Sequence, residues 1–152
     1  MRSLLVGLLL CSAAYAQEPK YLSVEQAIRV TNGLGQLDGY DGTCKDGATE
    51  KTCRKLYNLG MGVRMTIAKN MDKGVAVGKI YNKARQDLIA QLSEGGTKVP
   101  DENMSKFLAE DAKAQEASSG VIMDRINKSD LKLDENPIPA TVLYQIIPIL
   151  ND

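Results

Sequence analysis

The chain contains no histidine and no tryptophan, and only one phenylalanine, Phe107. Without histidine the commonest general base is missing, and with it the Ser-His and Cys-His nucleophile pairs and most zinc sites. An excess of either charge is missing as well. Across 152 residues, 19 Lys and Arg balance 19 Asp and Glu, so there is no global positive field to draw a nucleic acid, and none is expected as a partner. No G-x-x-x-x-G-K-S/T loop and no G-x-G-x-x-G fingerprint occurs; Gly33 with Gly35, and Gly60 with Gly62, lack the required continuation. No apolar run reaches the roughly 20 residues that span a bilayer. At 43% hydrophobic and 25% charged, the chain is neither disordered nor of low complexity.

What is present begins with an export signal. Met1-Arg2 forms a positive start, Ser3 to Ala14 an apolar run, and Ala14-Tyr15-Ala16 the small residues a signal peptidase needs. Cleavage is expected between Ala16 and Gln17, giving a signal peptide of residues 1–16 and a single mature helical domain, 17–152, with no transmembrane segment. Cys11 raises a lipoprotein alternative, but Leu10 stands where that pathway prefers a small residue. Periplasmic or secreted localisation follows.

After cleavage two cysteines remain, Cys44 and Cys53. In an oxidising compartment this C-x8-C spacing predicts one disulfide, since zinc would lack partners and redox pairs favour C-x-x-C. Three Asp-Gly dipeptides, at 38-39, 41-42 and 46-47, make the surrounding segment rich in turns. Strands are expected at Thr43–Lys45 and Thr52–Tyr57, bridged by the cysteines. The oxygen-bearing residues here do not supply the alternation of a calcium loop, and no metal or cofactor is expected.

The predicted architecture is mostly α: about four helices and one short disulfide-clipped hairpin or loop. Ser23 with Gln26 reads as a capping box opening the first helix, which Gly33 and Gly35 weaken near its end. Met61 to Ser93 reads as the longest helix, broken near Gly74 and Gly78. Advancing 100° per residue places Val63, Ile67, Gly74, Gly78, Tyr81, Leu88 and Leu92 on one face, and the Gly74-x-x-x-Gly78 pair there would let another backbone approach closely. Lys69, Lys73, Lys83 and Asp87 fall opposite. A third helix starts at Pro100-Asp101, with Met104, Phe107, Leu108 and Ala112 inward, and ends at Ser118-Ser119-Gly120. Val121-Ile122-Met123 is an apolar run suited to a strand added to the hairpin or to a buried helical turn. Ala140 to Leu150 is a last helix. Met61, Met65, Met71 and Met104 suit either an adaptable groove or ordinary core.

Chemistry without histidine would fall to carboxylates. Glu102 and Asp111 have a spacing seen in phage-type lysozymes, but Ala117 stands where that family carries threonine, and the glycine-rich hairpin between the carboxylates is absent. No catalytic residue is assigned. Arg85 is the oddity: it falls inside the apolar stripe, which demands an anionic partner. Residues 96–152 carry ten acidic against six basic side chains, whereas 61–95 carry three against six, so the partner is expected there. Arg85 is therefore a candidate ion-pair or anion site. The functional expectation is an exported non-catalytic binding or accessory protein of the bacterial envelope, its partner a protein or an envelope component. The alternative is a small carboxylate-dependent hydrolase of cell-wall glycans. Oligomeric state is not encoded in any pattern found.

Overall fold

A computed structural model describes residues 20–37 and 39–152. The expected signal, with Cys11 and the Ala16–Gln17 junction, lies outside the described residues, as does Asp38. The chain runs α1 (Val24–Gln36), β1 (Tyr40–Asp46), β2 (Thr49–Lys55), α2 (Met61–Leu92), α3 (Asp101–Glu116), β3 (Ile126–Asn127), α4 (Ala140–Ile146) and β4 (Leu150–Asn151). This is the mostly α architecture with a disulfide-clipped hairpin that the patterning predicts.

α1 begins where its cap dictates. The Gln26 amide donates to the Ser23 hydroxyl at 3.1 Å, and the Ser23 amide to the Gln26 side chain at 3.1 Å. Both arms satisfy amides the first helical turn leaves open. Ala27, Val30 and Leu34 then enter the main core, with Leu22, Val77, Met123, Ile126, Leu131, Val142, Ile146 and Ile149. α1 is thus the central element, packed against both α2 and α4.

α2 is continuous over its 32 residues, and the expected break at Gly74 and Gly78 is absent. A helix interior tolerates a glycine at about 1 kcal/mol when packing returns more. Gly74 does so: an added Cβ would collide with Thr31 Oγ1 and stand 2.9 Å from Thr31 Cβ, so α1 seats directly on it. At Gly78 nothing lies within 4 Å, and the close approach belongs to Gly74 alone. The far end of α2 meets α3 in a second cluster of Leu92, Val99 and Phe107. On α3 the inward residues are Met104 and Phe107, whereas Leu108 and Ala112 point outward, contrary to expectation. Asp111 and Gln115, one and two turns after Phe107, complete the inner face instead.

The Val121–Met123 run is neither strand nor helix. It is extended chain held from two sides. Leu22 donates to Val121 O at 3.2 Å, and Ser119 donates to Leu22 O at 2.9 Å. Asn70, with no exposed surface, donates to Asp124 O and accepts from Asp124 N, both at 2.8 Å. α4 stops at Ile146, short of the expected Leu150, because Pro148 cannot continue the ladder. The chain then pairs β4 with β3 in parallel.

The hairpin is longer than expected on its first strand and turns at Gly47-Ala48. Gly47 has φ +64°, a positive value at the first of two loop residues, which glycine adopts freely. Of the Asp-Gly pairs only 46-47 makes this turn; 41-42 lies inside β1. Cys44 and Cys53 are joined, their Cα atoms 5.8 Å apart. The register sets them diagonally, Cys44 facing Lys51 and Cys53 facing Gly42. Most hairpin residues are exposed, so little core burial holds it. Cys44→Ala with Cys53→Ala is expected to cost about 2–3 kcal/mol. Amide exchange should accelerate in Tyr40–Lys55 and remain slow in α1; uniform acceleration throughout the chain would contradict this.

Candidate functional site

The sequence singled out Arg85, and the structure gives it a polar cluster spanning α2 and α3. Tyr81 and Arg85 sit one turn apart on α2; Phe107, Asp111 and Gln115 follow at four-residue steps on α3. Arg85 Nε lies 3.5 Å from Asp111 Oδ1, and its guanidinium stands 5.1 Å from the centre of the Phe107 ring. The carboxylate partner is therefore an acidic residue of the 96–152 segment. Asp111 is the hub: Tyr81 Oη donates to its Oδ1 at 2.7 Å and Gln115 Nε2 to its Oδ2 at 3.0 Å. Gln115 Nε2 also reaches Tyr81 Oη at 3.0 Å. Burial, then the hydrogen bond to Asp111, pushes the Tyr81 phenol above its ordinary pKa, keeping it a donor. Both Asp111 oxygens are engaged, so the cluster ties helices together and presents no spare base.

Exposure corrects one expectation. The Asp111 side chain is 13% exposed but that of Arg85 is 43%, so a stranded guanidinium would find water rather than an apolar interior. Loss of Asp111 therefore costs less than a buried ion pair would imply. Asp111→Ala should lower stability by about 2 kcal/mol, because Tyr81 and Gln115 lose their acceptor. Arg85→Met should cost under about 1 kcal/mol. Chemical denaturation of both variants checks the order, and a larger loss for Arg85→Met would overturn it.

Glu102 and Asp111, already set aside as a glycosidase pair, do not converge. Nine residues apart on one helix, Glu102 and Asp111 are separated by about 14 Å of rise and half a revolution. Glycosidase pairs stand roughly 5–9.5 Å apart. No group of three or more acidic or cysteine side chains suited to a metal occurs among the described residues.

A cleft of about 410 Å³ opens at the base of the hairpin, where β1, β2, the end of α1 and the start of α4 meet. Tyr40, Arg54, Tyr57, Gln36, Pro139 and Val142 wall it, with Gly35 and Gly39 between. The rings of Tyr40 and Tyr57 lie 5.0 Å apart at 31°. Tyr57 is 3% exposed, and burial, with Tyr40 beside it, raises its phenol pKa against the pull of Arg54. One pattern in the sequence marks this site. Tyr-x3-Cys-x8-Cys-x3-Tyr places the tyrosines at the same diagonal offset across the hairpin as the cysteines.

The methionines divide between the two roles open to them. Met71 and Met104 pack against the cores. Met61 and Met65, one turn apart on the outer face of α2, are 74% and 55% exposed. Leu56, in the connection leading to them, is 63% exposed. Comparison with models of known protein families, with curated proteins and with solved structures finds no match to this chain.

Proposed function

We propose that the chain is an exported, non-catalytic binding protein of the bacterial envelope that docks a protein partner through the start of α2. The observation that carries this reading is the exposure of Met61 and Met65 on one helical face, with Leu56 just before it. Exposed large apolar side chains grouped in this way mark association surfaces, and methionine adapts its shape to a partner at little cost. The export half of the reading rests on the order of the first 17 residues and on the Cys44–Cys53 bond, which an oxidising compartment sustains.

Two measurements test it. The intact mass of protein recovered from the producing cell should correspond to a chain starting at Gln17; a form keeping Met1, or lipid on Cys11, would overturn export. Met61→Asp with Met65→Asp should leave Tm unchanged, because neither side chain is buried. The same variant should lose a protein that the unaltered chain captures from envelope extract. Identical capture by both would overturn docking through α2.

A further inference from the structure

The hairpin carries an inference separate from docking through α2. Its two strands form a sheet of their own, and no third strand pairs with either edge among the described residues. A two-stranded ribbon that is largely exposed is marginal alone, and its outer edges are ready to pair. The two-residue turn makes Asp46 and Thr49 a hydrogen-bonded pair. By alternation along the ladder, Glu50, Thr52 and Arg54 send their amides and carbonyls away from β1. These three residues are exposed, and their side chains share one face of the hairpin with those of Asp41, Thr43 and Lys45. On that face Asp41 stands opposite Arg54, Thr43 opposite Thr52, and Lys45 opposite Glu50. Each strand thus reads acid-x-Thr-x-base, and such a segment is complementary to an antiparallel copy of itself.

We infer that β2 pairs with β2 of a second copy of the chain, antiparallel about a two-fold axis at Thr52. Glu50 of each copy then faces Arg54 of the other, Thr52 faces Thr52, and these pairs exchange the outward hydrogen bonds. On the opposite face Lys51 meets Cys53 and Lys55 meets Thr49, so no like charges stand directly opposite, and Lys51 keeps Asp46 at 2.6 Å. Across the four strands the signs alternate: Asp41, Arg54, then Glu50 and Lys45 of the second copy. The signs and the threonine are symmetric about position 52, a match that an unrelated extended peptide would make only by chance. The edge of β1 has the same sign pattern but carries Gly42, which weakens a strand interior.

Sedimentation equilibrium of the chain as recovered from the producing cell tests it. The mass should rise toward that of two chains as concentration passes through about 0.1 mM, since one strand pair is a small interface. Over the same range the amides of Glu50, Thr52 and Arg54 should gain protection from exchange, and those of Asp41, Thr43 and Lys45 should not. Thr52→Pro removes an outward donor that the hairpin itself does not use, and should weaken association roughly tenfold or more. Glu50→Lys and Arg54→Glu should each fail to self-associate, because the first presents only cations at positions 50 and 54 and the second only anions. Mixing these two variants should restore the dimer. Met61→Asp with Met65→Asp should associate like the unaltered chain, which separates this contact from docking through α2. Far-UV circular dichroism confirms that the variants fold. The inference fails if the chain stays monomeric up to roughly 1 mM. It fails equally if Thr52→Pro or either charge variant associates unchanged, if the mixture does not exceed its components, or if the methionine variant is monomeric.

Discussion

Replacing Gly74 by valine should lower stability by about 3 kcal/mol or more, seen as a fall of roughly 10 °C in Tm. The site lies where α1 rests on α2 with no space for a side chain: the new Cβ would meet Thr31, and Met123 Cε would stand 3.0 Å away. Alanine makes the cause visible. In a helix interior, Gly→Ala ordinarily gains up to about 1 kcal/mol through backbone entropy. Gly74→Ala should nonetheless destabilise, since Thr31 is fixed by its own hydrogen bond to Ala27 O at 2.7 Å and cannot simply swing aside. Gly78→Ala, one turn on with open space around it, should raise Tm. If both alanine variants raised Tm, the close seating of α1 on α2 would be wrong.

Asn70 carries the second large effect. Its side chain mimics a strand partner, giving one donor and one acceptor to the backbone of Asp124 from inside a helix. Asn70→Leu should cost about 3 kcal/mol, because both peptide groups lose their partner in a site with little water. Asn70→Asp is the more informative variant. Ionised, it would set a carboxylate against the Asp124 carbonyl at a position with no exposed surface. Burial would raise its folded-state pKa above the unfolded value of about 3.9. The variant is then most stable below that unfolded value and loses stability as pH rises through the folded pKa. Denaturation of Asn70→Asp relative to the unaltered chain, followed from about pH 4 to 8, should show the deficit widening upward. A deficit independent of pH would show that the residue is hydrated and not clamping the 118–124 segment.

These two residues also mark where sequence reasoning stops. Local rules were legible: the Ser23–Gln26 box, part of the inner face of α2 and the joining of Cys44 to Cys53 follow from neighbours within about ten positions, although buried Val77 was not placed on that face and Lys73, set opposite it, donates to Ile122 O. Arg85 is intermediate. Its place on the helix demanded an acid and the charge distribution said in which half, but only packing of α2 against α3 selects Asp111. At Gly74 the stripe position did imply a close backbone approach, but the break that local propensity suggested is absent, because the contact that uses the glycine comes from Thr31, 43 positions earlier. Leu108 was assigned inward on hydrophobicity, whereas the face is set by where Phe107 meets Leu92, which left room for the polar Asp111 and Gln115. Val121–Met123 has strand-like composition, but its partners are a side chain on α2 and the lead-in to α1, and no periodicity encodes those. The cleft residues escaped because Gln36, Tyr40, Arg54, Tyr57 and Val142 converge only after the hairpin folds back on α1 and α4.

The seating of α4 on α1 has a kinetic consequence. Gln36 and Gln145, which touch across that contact, are 109 residues apart, and Val30 and Leu34 share a core with Val142 and Ile146. A chain emerging from the ribosome makes α1 first and must then add about a hundred residues before the partner of its apolar stripe exists. Long closures of this kind are entropically late steps. The hairpin, with its partners fewer than 20 residues apart, can form early, while α1 waits as an amphipathic segment exposed to whatever binds nascent chains. Cutting the chain before α4 should therefore leave α1 without its fold. Rejoining α4 directly ahead of α1 by circular permutation should shorten that closure and speed refolding.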